Sequence, residues 1–289
     1  MADYSNPQIP DGINVSHTYP LVDFARLLGG ILVVLVATVL LLALLAGRLA
    51  KYLPFEAEAS IAHRFVGKLA APGAQPIAAY LSTLARRLAA AHALPPGMTI
   101  TVHYRPEDTV NAYATLGGHV VVYDGLLRRL PNENALAMVI SHEIAHVRLR
   151  HPISSMGRGI MFGIALGVVS SAVGADVVGQ ALGPAGLLTL LRFSREQESE
   201  ADAAGLAAVV AVYGHAGGSS DTFRALSKSV SATSRPPEWL STHPFDETRI
   251  AAIEAAARAR GWAADGPVTP YPREVAAALS FERGNDATP

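Results

Sequence analysis

From Leu27 to Gly47 the chain runs 21 residues without a charge, fenced by Arg26 and Arg48. As a helix that run rises roughly 31 Å at 1.5 Å per residue, which matches the hydrocarbon core of a bilayer. A cleaved signal peptide has a shorter apolar region, about 7–15 residues, behind a basic start. Here the 25 residues before Arg26 contain no Lys or Arg. Residues 26–48 are therefore expected to be a transmembrane anchor. Only Arg26 flanks it on the N-terminal side, against Arg48, Lys51, Arg64 and Lys68 on the other. The positive-inside rule then puts the main domain in the cytoplasm.

Beyond the anchor, an apolar content of 50% excludes disorder for most of the chain. A formal net charge of −1 gives no basis for a nucleic-acid partner, which needs a basic surface. Cysteine is absent, so disulfides, a thiol nucleophile, Cys-based zinc knuckles and Fe–S ligation are excluded.

Punctuation along the chain suggests its organisation. Residues 1–25 read as a tail with three prolines in its first 20 positions. Residues 55–93 read as helical, broken at Pro72-Gly73 and Pro76, and Pro95-Pro96-Gly97 is a hard stop. Thr99 to Tyr104 alternates as a strand does. Asn111–Leu116 and His119–Tyr123, separated by Gly117-Gly118, predict a hairpin with a two-residue turn. Pro131-Asn132 opens a helix expected to run through His151 and to end at Pro152. Helices are also expected from Arg192 to Tyr213, before Gly214, and from Asp246 to Arg260, before Gly261. The result is one α+β domain over 51–283, mostly α-helical with a small antiparallel sheet, and a tail at 284–289.

The chemistry lies in two short helices. Ser141-His142-Glu143-Ile144-Ala145-His146 contains H-E-x-x-H. Residues four apart share one helical face, so His142 and His146 can present two imidazoles to one ion. Neutral imidazole ligates zinc at roughly 2.0–2.1 Å. Glu143 points beside the ion, where a carboxylate takes the proton of a bound water. Leu136, Val139, Ile140, Ile144 and Val147 supply a buried stripe. A catalytic zinc needs a third protein ligand and one position left for water. Arg195-Glu196-Gln197-Glu198-Ser199-Glu200-Ala201-Asp202 offers carboxylates four apart. One can bind the ion while the other holds a ligand His by its second nitrogen. Spacing alone does not choose between Glu198/Asp202 and Glu196/Glu200, and a merely solvated acidic face fits the same pattern.

These residues reach a family. The sequence resembles the membrane zinc metalloproteases of the HtpX and CAAX-prenyl-protease group, which are gluzincins. Ser194-Arg195…Glu198…Ala201-Asp202 looks like the family's S-R-x-x-E-x-x-A-D, which implies Glu198 as third ligand and Asp202 as the support of a ligand His. Asn111-Ala112-Tyr113-Ala114 resembles its N-A-x-A strand beside the cleft, and Thr242-His243-Pro244 with Arg249 its downstream T-H-P…R element; the Asn111–Leu116 edge is a candidate to bind an extended substrate by backbone hydrogen bonds, against a purely structural hairpin. The resemblance covers roughly residues 100–250. It implies a zincin-like core, one Zn²⁺ per chain and endopeptidase activity on unfolded or membrane-proximal polypeptides in quality control. His243 then either donates to the oxyanion or caps the metal at rest, and Arg249 orients the site or pairs with Asp202 or Glu247. Tyr113, Tyr123 and Tyr213 are further candidate donors. His17, His63, His92, His103, His119, His151 and His215 show no ligand-like spacing and read as structural or solvated. A second reading, from another class, is a zinc-stabilised membrane chaperone or assembly factor with little proteolysis.

One further constraint comes from the metal. Residues 159–191 are apolar apart from Asp176 and lie between His146 and Glu198. If both ends hold one ion, the segment crosses the membrane twice or not at all. Stretches of 17 and 15 residues either side of Asp176 are short for a span, so a re-entrant or interfacial helical hairpin is expected. Gly159, Gly163 and Gly167 would let another helix approach it closely.

Overall fold

The computed structural model describes residues 19–66, 75–173, 193–228, 238, 239, 243 and 247–285. Expectations for 1–18, for Pro72-Gly73, for 174–192, for Thr242 and Pro244 and for the last four residues lie outside these. The chain divides into two units, residues through Leu42 and residues from Ala43 onward.

Helix α1, Pro20–Leu49, carries the apolar run. Pro20 stands at its first position, where the missing N–H costs nothing. From Leu27 to Val34 its large side chains are exposed, and it is long and apolar enough to cross a bilayer. A 3-10 turn, Ala50–Tyr52, leads to α2, Phe55–Val66.

The second unit is built around one helix. After α3, Gln75–Ala91, come β1, Thr101–Arg105, β2, Ala112–Ala114, and β3, His119–Tyr123. A short α4, Asp124–Leu127, precedes α5, Glu133–Arg148. The Asn132 side chain caps α5 by accepting from the Ala135 N–H at 2.9 Å. Every residue of α5 from Glu133 to Val147 is buried. It is thus a central helix enclosed on all sides, where the sequence suggested only a stripe; its many alanines and its polar motif mask that burial. Tyr80, Tyr213 and Arg87 converge on the buried Glu133 carboxylate at its N-terminus.

The sheet order is β1-β3-β2. β2 and β3 pair antiparallel, as the hairpin predicts, but β1 joins β3 in parallel, so the sheet is mixed. The turn is also longer than expected. Thr115 N–H donates to His119 C=O at 2.8 Å, enclosing Leu116, Gly117 and Gly118. Gly117 and Gly118 both take positive φ, and a Cβ on Gly118 would stand 1.8 Å from Thr99 O.

Pro152 does not end α5. The helix stops at Arg148, Arg150 turns left-handed at φ 64°, and α6, His151–Val173, starts with Pro152 in its first turn. The Arg150 guanidinium pairs with Glu58 and donates to Leu53 C=O, which holds that turn. Helix α7, Arg195–Tyr213, has a capping box between Ser194 and Gln197 and a left-handed Gly214 at its end. Then follow α8, Asp221–Lys228, α9, Glu247–Ala259, and α10, Arg273–Asn285.

Candidate metal centre

Helices α5 and α7 meet at Gly205, where an added Cβ would lie 3.1 Å from the His142 backbone nitrogen. The approach is sealed by Ser141 Oγ donating to Gly205 C=O at 3.0 Å, while His92 Nε2 lies 2.8 Å from the same hydroxyl. Gly205 sits two helical turns beyond Glu198, so this close crossing sets the carboxylate opposite the H-E-x-x-H face.

The structure brings four donors together: His142, His146, Glu198 and His243, all buried. His142 Nε2 is 2.9 Å from His146 Nε2 and 3.2 Å from His243 Nδ1. Glu198 lies 3.5 Å from each of the first two nitrogens and 3.1 Å from the third. A tetrahedron with bonds of roughly 2.0–2.1 Å has edges of about 3.3–3.4 Å, so these separations fit one small cation. Charge fits as well. Among the described residues, the Glu198 and Asp202 carboxylates both pair with the Arg249 guanidinium, and with Glu143 beside them the centre is rich in acidic groups, which suits a cation. The same groups act on His142: burial pushes its pKa down, but its bonds to Asp202 and Glu198 outweigh that and raise it to about 10. The Glu198 carboxyl is held far below its usual range, because His243 and His142 overcome the effect of burial.

Each donor is oriented from behind. His142 Nδ1–H donates to Asp202 at 2.9 Å, which turns Nε2 to the centre. Asp202 in turn takes two bonds of 2.8 Å from Arg249, whose Nη1 also reaches Glu198 at 3.2 Å. Arg249 lies over the Phe223 and Trp239 rings. His146 stacks on Phe193 at 3.9 Å between ring centroids. Glu143 stands beside the donors: one oxygen accepts from Ala114 N–H at 2.8 Å, the other from Trp239 Nε1–H at 3.3 Å. His243 Nε2 is 3.4 Å from that second oxygen.

The Asn111–Ala114 segment adjoins Glu143. Ladder bonds run at the 111/123 and 115/119 pairs, so by antiparallel alternation residues 112 and 114 turn their amides away from β3, where Glu143 takes the Ala114 N–H. Trp239 N–H donates to Val110 C=O at 3.1 Å, just ahead of that segment. Of the tyrosines, Tyr213 bonds Glu133, and the Tyr113 and Tyr123 rings lie tilted with centroids 6.3 Å apart. Three residues of the site escaped the sequence reading: Phe193, Trp239 and His151. His151 is buried against His146 rather than solvated. Its five-residue offset matches no helical face, and only the left-handed Arg150 re-aims it. His92 and His215 are buried, and His103 and His119 pair at 3.0 Å.

The chain is 34% identical to the beta-barrel assembly-enhancing protease of Escherichia coli over 154 residues, half of this chain and 31% of that protein. It is 31% identical over 152 residues to a putative protein of the same kind from Vibrio cholerae, covering 49% of this chain and 31% of the relative. It is 28% identical over 186 residues to the mitochondrial metalloendopeptidase OMA1 of Schizosaccharomyces pombe, covering 63% of this chain and 54% of the relative. The chain thus spans about a third of the length of the first two. The profile of Peptidase family M48 matches residues 77–257, which take in H-E-x-x-H, the Glu198–Asp202 pair, His243 and Arg249. The chain belongs to peptidase family M48.

Proposed function

We propose that this chain is a membrane-anchored, zinc-dependent endopeptidase acting on unfolded or membrane-proximal polypeptides in quality control. The observation that carries the reading is the convergence of His142, His146, Glu198 and His243, with Glu143 beside them. His142, His146 and Glu198 hold one zinc ion; nitrogen and carboxylate donors without sulfur suit it. Bound zinc polarises the scissile carbonyl and lowers the pKa of water towards 7. Glu143 takes the proton of the attacking water and passes it to the leaving nitrogen. Asp202 and Arg249 fix the ligands, and Asn111–Ala114 binds an extended substrate by backbone groups other than the Ala114 N–H, which Glu143 holds. Residues 51–283 form the peptidase domain, and the apolar 159–191 segment associates with the membrane. Helix α1 is the anchor, with the domain in the cytoplasm; a reporter fused after Pro289 reads that sidedness.

His243 caps the metal in a resting form. Its Nδ1 stands 3.2 Å from His142 Nε2 and 3.1 Å from Glu198 Oε1, so it would add a fourth donor to a bound ion. The relatives' names, a beta-barrel assembly-enhancing protease and a mitochondrial metalloendopeptidase, support proteolysis. A fourth protein ligand also favours the chaperone reading, in which the zinc is only structural. Cleavage of unfolded casein by the purified protein, with and without a chelator, separates the two. Glu143→Gln is expected to retain zinc and lose turnover by at least 10²-fold, the usual scale for a general base. Substantial residual cleavage by that variant would reject Glu143 as the base.

A further inference from the structure

Both proposed ligand histidines need their second ring nitrogen held, and the structure does this in two different ways. For His142 the partner is the Asp202 carboxylate. For His146 it is another imidazole: His146 Nδ1 lies 2.9 Å from His151 Nδ1, and His151 Nε2 lies 3.1 Å from Glu200 Oε2. This arrangement rests on the zinc site proposed above and assigns residues to it that no sequence motif marks.

The protons in this chain have one consistent placement. A His146 that offers Nε2 to a cation carries its hydrogen on Nδ1. That hydrogen points at His151 Nδ1, which must then be bare to accept it. Neutral His151 therefore carries its own hydrogen on Nε2, directed at Glu200. The opposite tautomer of His151 would set two N–H groups against each other at 2.9 Å. His151 is fully buried, while the Glu200 side chain is 58% exposed. The ring of His146 is further fixed by stacking on Phe193.

We infer that His151 and Glu200 are positioning residues for the metal site: a two-step relay that sets the His146 tautomer and strengthens it as a ligand. A carboxylate acting through an intervening imidazole does for His146 what Asp202 does directly for His142. Such partners typically contribute about 10–100-fold in metal affinity.

The test is zinc affinity, measured on the full chain by competition with a chromogenic chelator, together with the unfolding midpoint of the zinc-free forms. His151→Phe fills the same space beside Phe193 without either nitrogen, and is expected to weaken zinc binding about 10–100-fold. Glu200→Gln is expected to weaken it less, and to have no further effect in the His151→Phe background. His151→Gln, which accepts on one amide atom and donates on the other, should restore part of the affinity. A packing role alone would lower the zinc-free midpoint and leave affinity unchanged. Wild-type affinity in both His151→Phe and Glu200→Gln, with one zinc bound per chain, overturns the relay. If His151→Phe does not fold, Glu200→Gln decides by itself. A wild-type chain that binds no zinc removes the metal site and the relay with it.

Discussion

Removing the carboxylate charge of Asp202 perturbs the centre where its supports are densest. Asp202 accepts one bond from His142 Nδ1–H at 2.9 Å and two from Arg249 at 2.8 Å. Its carboxyl is held below the usual range: burial raises it, but His142 and Arg249 outweigh that. Its contribution is therefore present above the ordinary carboxylate pKa and is lost as pH falls below it. Asn at this position keeps the shape and one acceptor oxygen. Its amide N–H₂ must then face either the His142 N–H or the Arg249 fork, a donor against a donor. Breaking a buried charge pair from one side costs about 3–5 kcal/mol of stability. Arg249, left with Glu198 at 3.2 Å, draws that carboxylate away from the metal, so zinc affinity also falls. Asp202→Asn is expected to weaken zinc binding about 10–100-fold, or roughly 1.4–2.7 kcal/mol. Chelator competition reads the affinity, and urea unfolding in excess chelator reads the stability of the metal-free fold. Affinity within twofold of wild type would refute the assignment of Asp202 as the support of His142.

Two other outcomes follow from the same contacts. His243→Ala removes the proposed cap and is expected to raise casein cleavage several-fold while zinc stays bound; a loss of activity would instead make His243 an oxyanion donor, whose removal typically costs about 10²–10³ in rate. His92 is buried, and burial with the nearby Arg148 cation lowers its pKa to about 4. The folded chain refuses a proton that the unfolded chain takes near pH 6.5, so stability falls as pH drops through that window. The loss is about 2–3 kcal/mol between pH 7 and 4.5. His92→Gln, which can still donate to Ser141, should flatten that part of the wild-type pH profile of the urea midpoint in chelator; an unchanged slope would contradict the assignment.

Local signals in the sequence were strongest where one chemical rule acts alone. The 21-residue uncharged run is written in side-chain polarity, and α1 covers it. Ser194 and Gly214 bracket α7 because capping chemistry is local. The partnership of His142, His146 and Glu198 needed the family resemblance, since i,i+4 spacing fits Glu196 and Glu200 equally well. The choice is made in space by Gly205, which seats α7 on α5 and turns Glu198 inward while Glu200 meets His151. The parallel pairing of β1 was not legible, because an isolated alternating strand carries no sign of its partner's direction. Pro152 does not mark the end of α5, because proline is equally at home after one helix and in the first turn of the next. His151 reaches the centre after a left-handed turn at Arg150, Phe193 from just ahead of α7 and Trp239 from far along the chain, and no periodicity records such geometry.

The account stands on a single zinc ion held by side chains from α5 and α7. Metal analysis of the purified full chain, with zinc absorption spectroscopy on the same sample, reaches that claim most directly. One zinc per chain is expected, bound by nitrogen and oxygen at about 2.0–2.1 Å, with the metal lost in His142→Ala and in Glu198→Ala. A chain that stays metal-free in zinc-replete buffer, or one that keeps its zinc in both variants, would contradict it.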